Sequence, residues 1–150
     1  MSTTDPLTRF EEEHRHALGE LERLEQAADG LPEAEEPTEY LEVMRQVHIF
    51  LSTAVKEHND NEERALFPLL GEDAPTGVFV EEHARLRDLE QRLGAALDGA
   101  HPVVESPAIA HALVDLLRSH IDREDTVLFP MARGLLGPDG LARVARSLNM

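Results

Sequence analysis

The sequence predicts an all-α protein, an up-down-up-down four-helix bundle with a short extra C-terminal helix. Three observations predict it. Apolar residues recur at alternating steps of three and four along four stretches, the mark of one buried helical face. Connections containing Gly and Pro separate those stretches. No strand-like alternation occurs anywhere in the 150 residues. A chain of this length is expected to form a single domain, 1–150, with the bundle over about 5–135 and the short helix over about 138–148.

The first helix is expected from Pro6 to about Asp29. Thr4 or Asp5 can cap it, and Pro6 suits a first turn that needs no N–H. Leu7, Phe10, His14, Ala17, Leu21, Leu24 and Ala28 share a face, so His14 stands where an apolar residue is expected. Gly30 to Pro37 is a connection. The second helix starts with Thr38 as its cap and reads to about Leu66 along Leu41, Met44, His48, Leu51, Val55, His58, Glu62 and Leu66. The Phe67–Pro68 step is expected to end or kink it, because a residue before proline is biased away from the helical region. The third helix covers Thr76 to Asp98, with Phe79, His83, Leu86, Leu93 and Leu97 along one side. Ser106 and Pro107 are the expected cap and first turn of the fourth, whose seam is Ile109, Leu113, Leu117, His120, Glu124 and Leu128, with Pro130 at its end. Leu141, Val144 and Leu148 give the last, short helix one apolar side for packing on the outside of the bundle.

Composition narrows the function classes. A formal net charge of −16 argues against DNA or RNA, whose phosphates call for a basic footprint, and against anionic membrane surfaces. The absence of cysteine excludes disulfides, thiolate nucleophiles and Cys-based metal sites. No secretory signal is seen at the N-terminus and no apolar stretch approaches the roughly 18 residues of a membrane span, so a cytoplasmic protein is expected. Eight histidines against one Tyr and no Trp are the unusual feature.

Two of those histidines open a repeat. HNDNEERALFP begins at His58 and HIDREDTVLFP at His120, with six of eleven letters identical. On a helix, residues i and i+4 lie about 40° apart and roughly 6 Å along the axis. His58 and Glu62 therefore point the same way, as do His120 and Glu124, and both pairs fall on the core face. Two inward carboxylates repel and are costly to bury unless cations lie between them. The other two helices offer His14 and His83. Four His and two Glu at one level of a bundle make a donor set for iron, manganese or zinc. Two shared carboxylates and four nitrogens give about four protein donors per metal, leaving positions for a hydroxo or oxo bridge and a small ligand. Leu66 and Leu128 are expected to line the pocket with hydrocarbon, and Phe67 and Phe129 to close the bundle end.

His14, His58-x3-Glu62, His83 and His120-x3-Glu124, each pair followed by LFP, resemble the hemerythrin-like domain, also called the hemerythrin HHE cation-binding domain. The resemblance covers roughly residues 5 to 135. It implies a non-haem di-iron centre, two iron ions inside a four-helix bundle, with Glu62 and Glu124 bridging and His14, His58, His83 and His120 as terminal ligands. Ferritin-like bundles fit less well, since they use Glu-x-x-His and lone glutamates. The oxygen-carrying hemerythrins resemble this chain but have five histidines, two of them one turn apart on the third helix. Here Phe79 and Arg87 flank His83 at that spacing. The fourth helix also carries Glu at i+4 rather than Asp at i+5. These departures favour peroxide or NO chemistry over reversible O2 carriage, with Glu13 or Glu63 as candidates to fill a vacant ligand position.

The remaining polar residues read as bland. His16 and His111 are expected on the surface, His101 in a loop, and His48 as a polar core or interface residue. Asp60 and Asp122 are expected to be solvated. Glu63 and Asp125 read first as charged surface, and second as supports for a ligand histidine on a neighbouring helix. The function expected is binding of, or reaction with, O2, hydrogen peroxide or NO, with catalase-like peroxide decomposition as its enzymatic form. The rivals are a non-enzymatic iron or gas sensor or store acting through a protein partner, and a metal-free adaptor whose histidines sense pH.

Overall fold

The computed structural model describes residues 5–150, and no strand occurs among them. Helix α1 spans Pro6–Gly30, with Asp5 accepting a hydrogen bond from the Leu7 N–H as its cap. Thr4, the other candidate cap, lies outside the described residues. Helix α2 covers residues 38–70. It starts directly after Pro37, so Thr38 is its first helical residue rather than its cap. Helix α3 is Thr76–Asp98. Helix α4 covers residues 102–136, and α5, residues 138–147, follows a break at Gly137. The helices form a ring in which α1 packs against α2 and α4, and α3 against α4 and, more sparsely, α2. No helix is long and apolar enough to cross a membrane.

Two expectations about helix ends need correction. The fourth helix starts a turn before Ser106, at Pro102, with His101 ahead of it accepting the Val104 and Glu105 N–H groups. Pro102 already supplies the first-turn proline, so Pro107 lies within the helix and the Ser106 hydroxyl donates instead to the Pro102 carbonyl. The Phe–Pro steps do not end their helices either. Glu62–Leu66 and Glu124–Leu128 each form a π-turn, in which the Phe67 and Phe129 N–H groups reach back five residues to the Glu62 and Glu124 carbonyls. The following proline then sits in the first turn of a new α-helical segment, where its missing N–H costs little. The stops come at Gly71 (φ 58°) and Gly137 (φ 61°), conformations that glycine adopts without a Cβ penalty.

The apolar seams pack into two clusters. One holds Leu21, Leu24, Met44, Val47, Leu93 and Leu113 among others. The second, at the other end, holds Leu7, Phe10, Leu66, Phe67, Leu128 and Phe129, and receives Val144 and Leu148 from the C-terminal segment. Each fully buried Leu or Phe contributes about 1.5–3 kcal/mol. Between the clusters lies a layer of buried polar side chains: His14, His58, Glu62, His83, His120 and Glu124. The sequence periodicity carries straight through that layer, so the backbone that builds the core also aims these six groups inward.

Candidate metal centre

The six inward groups meet. His14, His58, Glu62 and Glu124 offer atoms that all lie within 4.8 Å of one another, and so do Glu62, His83, His120 and Glu124. Both glutamates belong to both clusters, and their oxygens divide between them. Glu62 Oε2 lies 3.3 Å from His58 Nε2, while Oε1 lies 3.2 Å from His83 Nε2. Glu124 Oε1 lies 3.0 Å from His14 Nε2, while Oε2 lies 3.4 Å from His120 Nε2. Each cluster thus has two imidazole nitrogens and one oxygen from each carboxylate.

A carboxylate holds the far nitrogen of every imidazole. Asp125 lies 2.7 Å from His14 Nδ1, Glu13 2.8 Å from His58 Nδ1, Glu63 2.7 Å from His83 Nδ1, and Glu82 2.9 Å from His120 Nδ1. The Nδ1–H donates in each pair, so the neutral ring presents an Nε2 lone pair to the centre, the tautomer that metal-binding histidines use. Aromatic rings fix the imidazole planes. Phe129 stacks on His14 and Phe67 on His83, at centroid distances of 5.5 and 5.9 Å. Phe10 meets His58 edge-on and Phe79 meets His120 edge-on, at 5.1 and 5.4 Å.

These contacts obey an approximate two-fold relationship. Adding 69 to positions on α1 turns Phe10, Glu13 and His14 into Phe79, Glu82 and His83 on α3. Adding 62 on α2 turns His58, Glu62, Glu63 and Phe67 into His120, Glu124, Asp125 and Phe129 on α4. Every carboxylate contact to an Nδ1 and every phenylalanine contact to an imidazole in one cluster recurs in the other.

The donor set passes a chemical test for cations. Both oxygens of Glu62 and of Glu124, and Nε2 of His83 and His120, are buried with no hydrogen-bond partner among the described residues. Both glutamates are 0% exposed. Two fully buried carboxylates surrounded by lone pairs are stable only with positive charge between them. Protons serve in the metal-free chain. Burial pushes the His14 imidazolium down, but Asp125 and Glu124 outweigh it and raise the group to about 9. Burial likewise opposes protonation of His58 and His83, and the adjoining carboxylates, Glu62 foremost, raise both above the ordinary histidine value. Glu124 is pushed up by burial and held well below the usual carboxylate range by His120, His14 and His58.

Against this geometry, the hemerythrin HHE cation binding domain matches residues 5–132. The chain belongs to that family. No curated protein matches it. This hemerythrin-family protein carries two His/Glu clusters positioned for a binuclear metal site, consistent with the non-haem di-iron cofactor of hemerythrins and with binding O2, peroxide or NO. The set suits a small-molecule ligand.

Other residues fall outside the centre. His16 is exposed beside Phe50, and His101 is exposed. His48 is half-buried and bonds Glu90 across the α2–α3 seam. His111 is half-buried and pairs with Asp29 on the surface. Asp60 is exposed between Lys56 and Arg87, and Asp122 is exposed. Phe79 and Arg87 supply no nitrogen near His83: one ring packs on His120, and the guanidinium faces Asp60. Glu63 and Asp125 are not plain surface charges, and Glu13 and Glu63 fill no vacant ligand position. All three hold the outer nitrogen of a histidine. Glu82, next to His83 in sequence and on the face where periodicity predicts solvent, does the same for His120. It also takes an ion pair from Arg123, whose guanidinium lies over the Phe79 ring.

Proposed function

We propose that His14, His58, His83 and His120 are terminal ligands, and Glu62 and Glu124 bridging ligands, of two iron ions in a single-domain cytoplasmic protein that binds or reacts with O2, hydrogen peroxide or NO. The observation that supports it most is the division of each glutamate's two unpartnered oxygens between the clusters. A lone metal would leave half of those oxygens buried against nothing. The donors fit manganese or zinc almost as well, and the family match favours iron.

A bound iron pair supplies redox cycling and open coordination positions. The chain supplies the rest. Glu13, Glu63, Glu82 and Asp125 hold the Nδ1 protons, which keeps each Nε2 free to bind and makes it more basic. The Phe10, Phe67, Phe79 and Phe129 rings fix the imidazole planes and keep water from the end of the centre that faces the second apolar cluster. Glu62 and Glu124 neutralise charge between the two halves.

Iron-loaded protein separates the two forms of this reading. Peroxide consumption well above that of free iron marks the enzyme. A reversible optical change with O2 or NO and no turnover marks a carrier or sensor. No response to any of the three ligands removes the reading.

A further inference from the structure

One layer outside the imidazoles, the approximate two-fold symmetry fails. Three of the four outer carboxylates reach the surface: the side chains of Glu13, Glu63 and Asp125 are 37%, 39% and 33% exposed. Glu82 is 11% exposed, and its second oxygen pairs with the Arg123 guanidinium. Among the described residues, Glu63 and Asp125 meet no lysine or arginine. Glu13 meets only Arg9, on its own helix, at 3.6 Å, with both side chains about one-third exposed. An exposed pair of that kind contributes little.

Arg123 has no equivalent in the other half. Its mate on α2 is Asn61, which accepts a hydrogen bond from Arg64 and makes none to Glu13. The mate of Arg9 on α3 is Val78. Around His120 the contacts close into a circuit. Glu82 holds Nδ1 at 2.9 Å, Arg123 holds Glu82, the guanidinium lies 5.8 Å from the centroid of the Phe79 ring, and Phe79 meets the His120 ring edge-on. A guanidinium bonded to a carboxylate and laid over an aromatic face is held twice, by charge and by the ring. His58 has Phe10 and Glu13 in the matching places, but among the described residues no cation lies over Phe10, so its circuit stays open.

We infer that Arg123 is a positioning residue that makes the two metal positions unequal: by clamping Glu82 it fixes His120, so an ion at the His83/His120 position leaves more slowly than one at the His14/His58 position. This rests on the proposed di-iron reading and deepens it by ranking two otherwise matching halves. An ion escapes when a ligand ring swings off it, and a swing of His120 must break the Glu82 and Arg123 contacts together. The guanidinium also draws charge from Glu82, which makes the imidazole a poorer donor. Arg123 is 36% exposed, so that pull is screened by solvent and the clamp dominates.

The test is release of ferrous iron from anaerobically loaded protein to a coloured chelator, with iron per chain and helicity measured beside it. The parent should release its two ions at different rates. Arg123→Ala should speed the slower release about tenfold, the low end of what a group supporting a ligand contributes, and leave the faster one unchanged. Arg123→Lys, which keeps the charge but neither the fork nor the stacking, should fall between parent and Arg123→Ala. Arg9→Ala, the loose counterpart, should alter neither rate. Half-loaded chains place the effect. His14→Ala retains the His83/His120 pair and should hold its ion longer than His83→Ala does, and adding Arg123→Ala to His14→Ala should remove that difference. A slower release that Arg123→Ala leaves unchanged, or a His83→Ala chain that holds its ion as long as His14→Ala, overturns the inference alone. A parent that takes up no iron overturns the underlying reading and this one with it.

Discussion

His14 Nε2 lies 3.1 Å from His58 Nε2, with Asp125 and Glu13 holding the two Nδ1 atoms on the far sides. Both outer nitrogens donate, so the 3.1 Å approach sets two lone pairs face to face unless a cation or a proton lies between them. His83 and His120 repeat the arrangement with ring centroids 4.9 Å apart, against 4.7 Å for the first pair.

Sharing of the glutamates couples the two halves. Glu62→Ala removes a donor from both clusters and should reduce iron from two per chain to nearly none. His83→Ala removes a donor from one cluster and should leave the other half partly loaded. Elemental analysis of both variants decides; equal loss in the two would contradict the shared-carboxylate geometry.

The outer carboxylates should matter without touching metal. Asp125→Asn and Glu63→Gln should each weaken iron affinity about 10- to 100-fold in competition with a chelator, with helicity unchanged. Unchanged affinity in both would reduce these residues to surface charges.

Removing the metal leaves buried carboxylates matched only by protons. At a free metal concentration 1,000 times Kd, loading should stabilise the fold by about 4 kcal/mol, on the order of 10 °C in Tm. The metal-free state still needs Glu62. Glu62→Met removes the carboxylate that raises His58 and His83 and leaves those buried rings without it, so it should melt below the metal-free parent while taking up no iron. An unchanged melting temperature would show that the proton-bridged pairs do not stabilise the empty centre.

His14 contributes, with His58 and His83, to the pH dependence of the metal-free chain. The folded value of His14, about 9, lies above the ordinary histidine value of 6.5. The folded state therefore binds a proton more tightly than the unfolded chain, and that stabilisation is complete below about 6.5 and lost as pH rises through 9. Metal-free parent should lose stability over that window more than His14→Gln does, as urea titrations at several pH values would show. A parallel decline would remove His14 as a contributor.

The bundle and its six inward groups were legible because helical periodicity assigns a face and a charged residue on a buried face stands out. The supports were legible only in part. Glu13 and Glu82 precede His14 and His83 by one residue, about 100° around the helix, where periodicity reads solvent. The signal that finds them is the second repeat, Phe10-x-x-Glu13-His14 against Phe79-x-x-Glu82-His83, which is short and lacks the proline that marks the α2/α4 repeat. The π-turns leave no such trace. One extra residue per turn changes the hydrogen-bond partner of Phe67 and Phe129, not the order of apolar and polar letters.

The most direct measurement is metal content of protein purified without oxygen, joined to its optical spectrum. Two irons per chain, with charge-transfer absorption that shifts on adding azide, is the result expected of paired clusters sharing Glu62 and Glu124. One metal per chain, or none after incubation with ferrous iron, would contradict the binuclear centre.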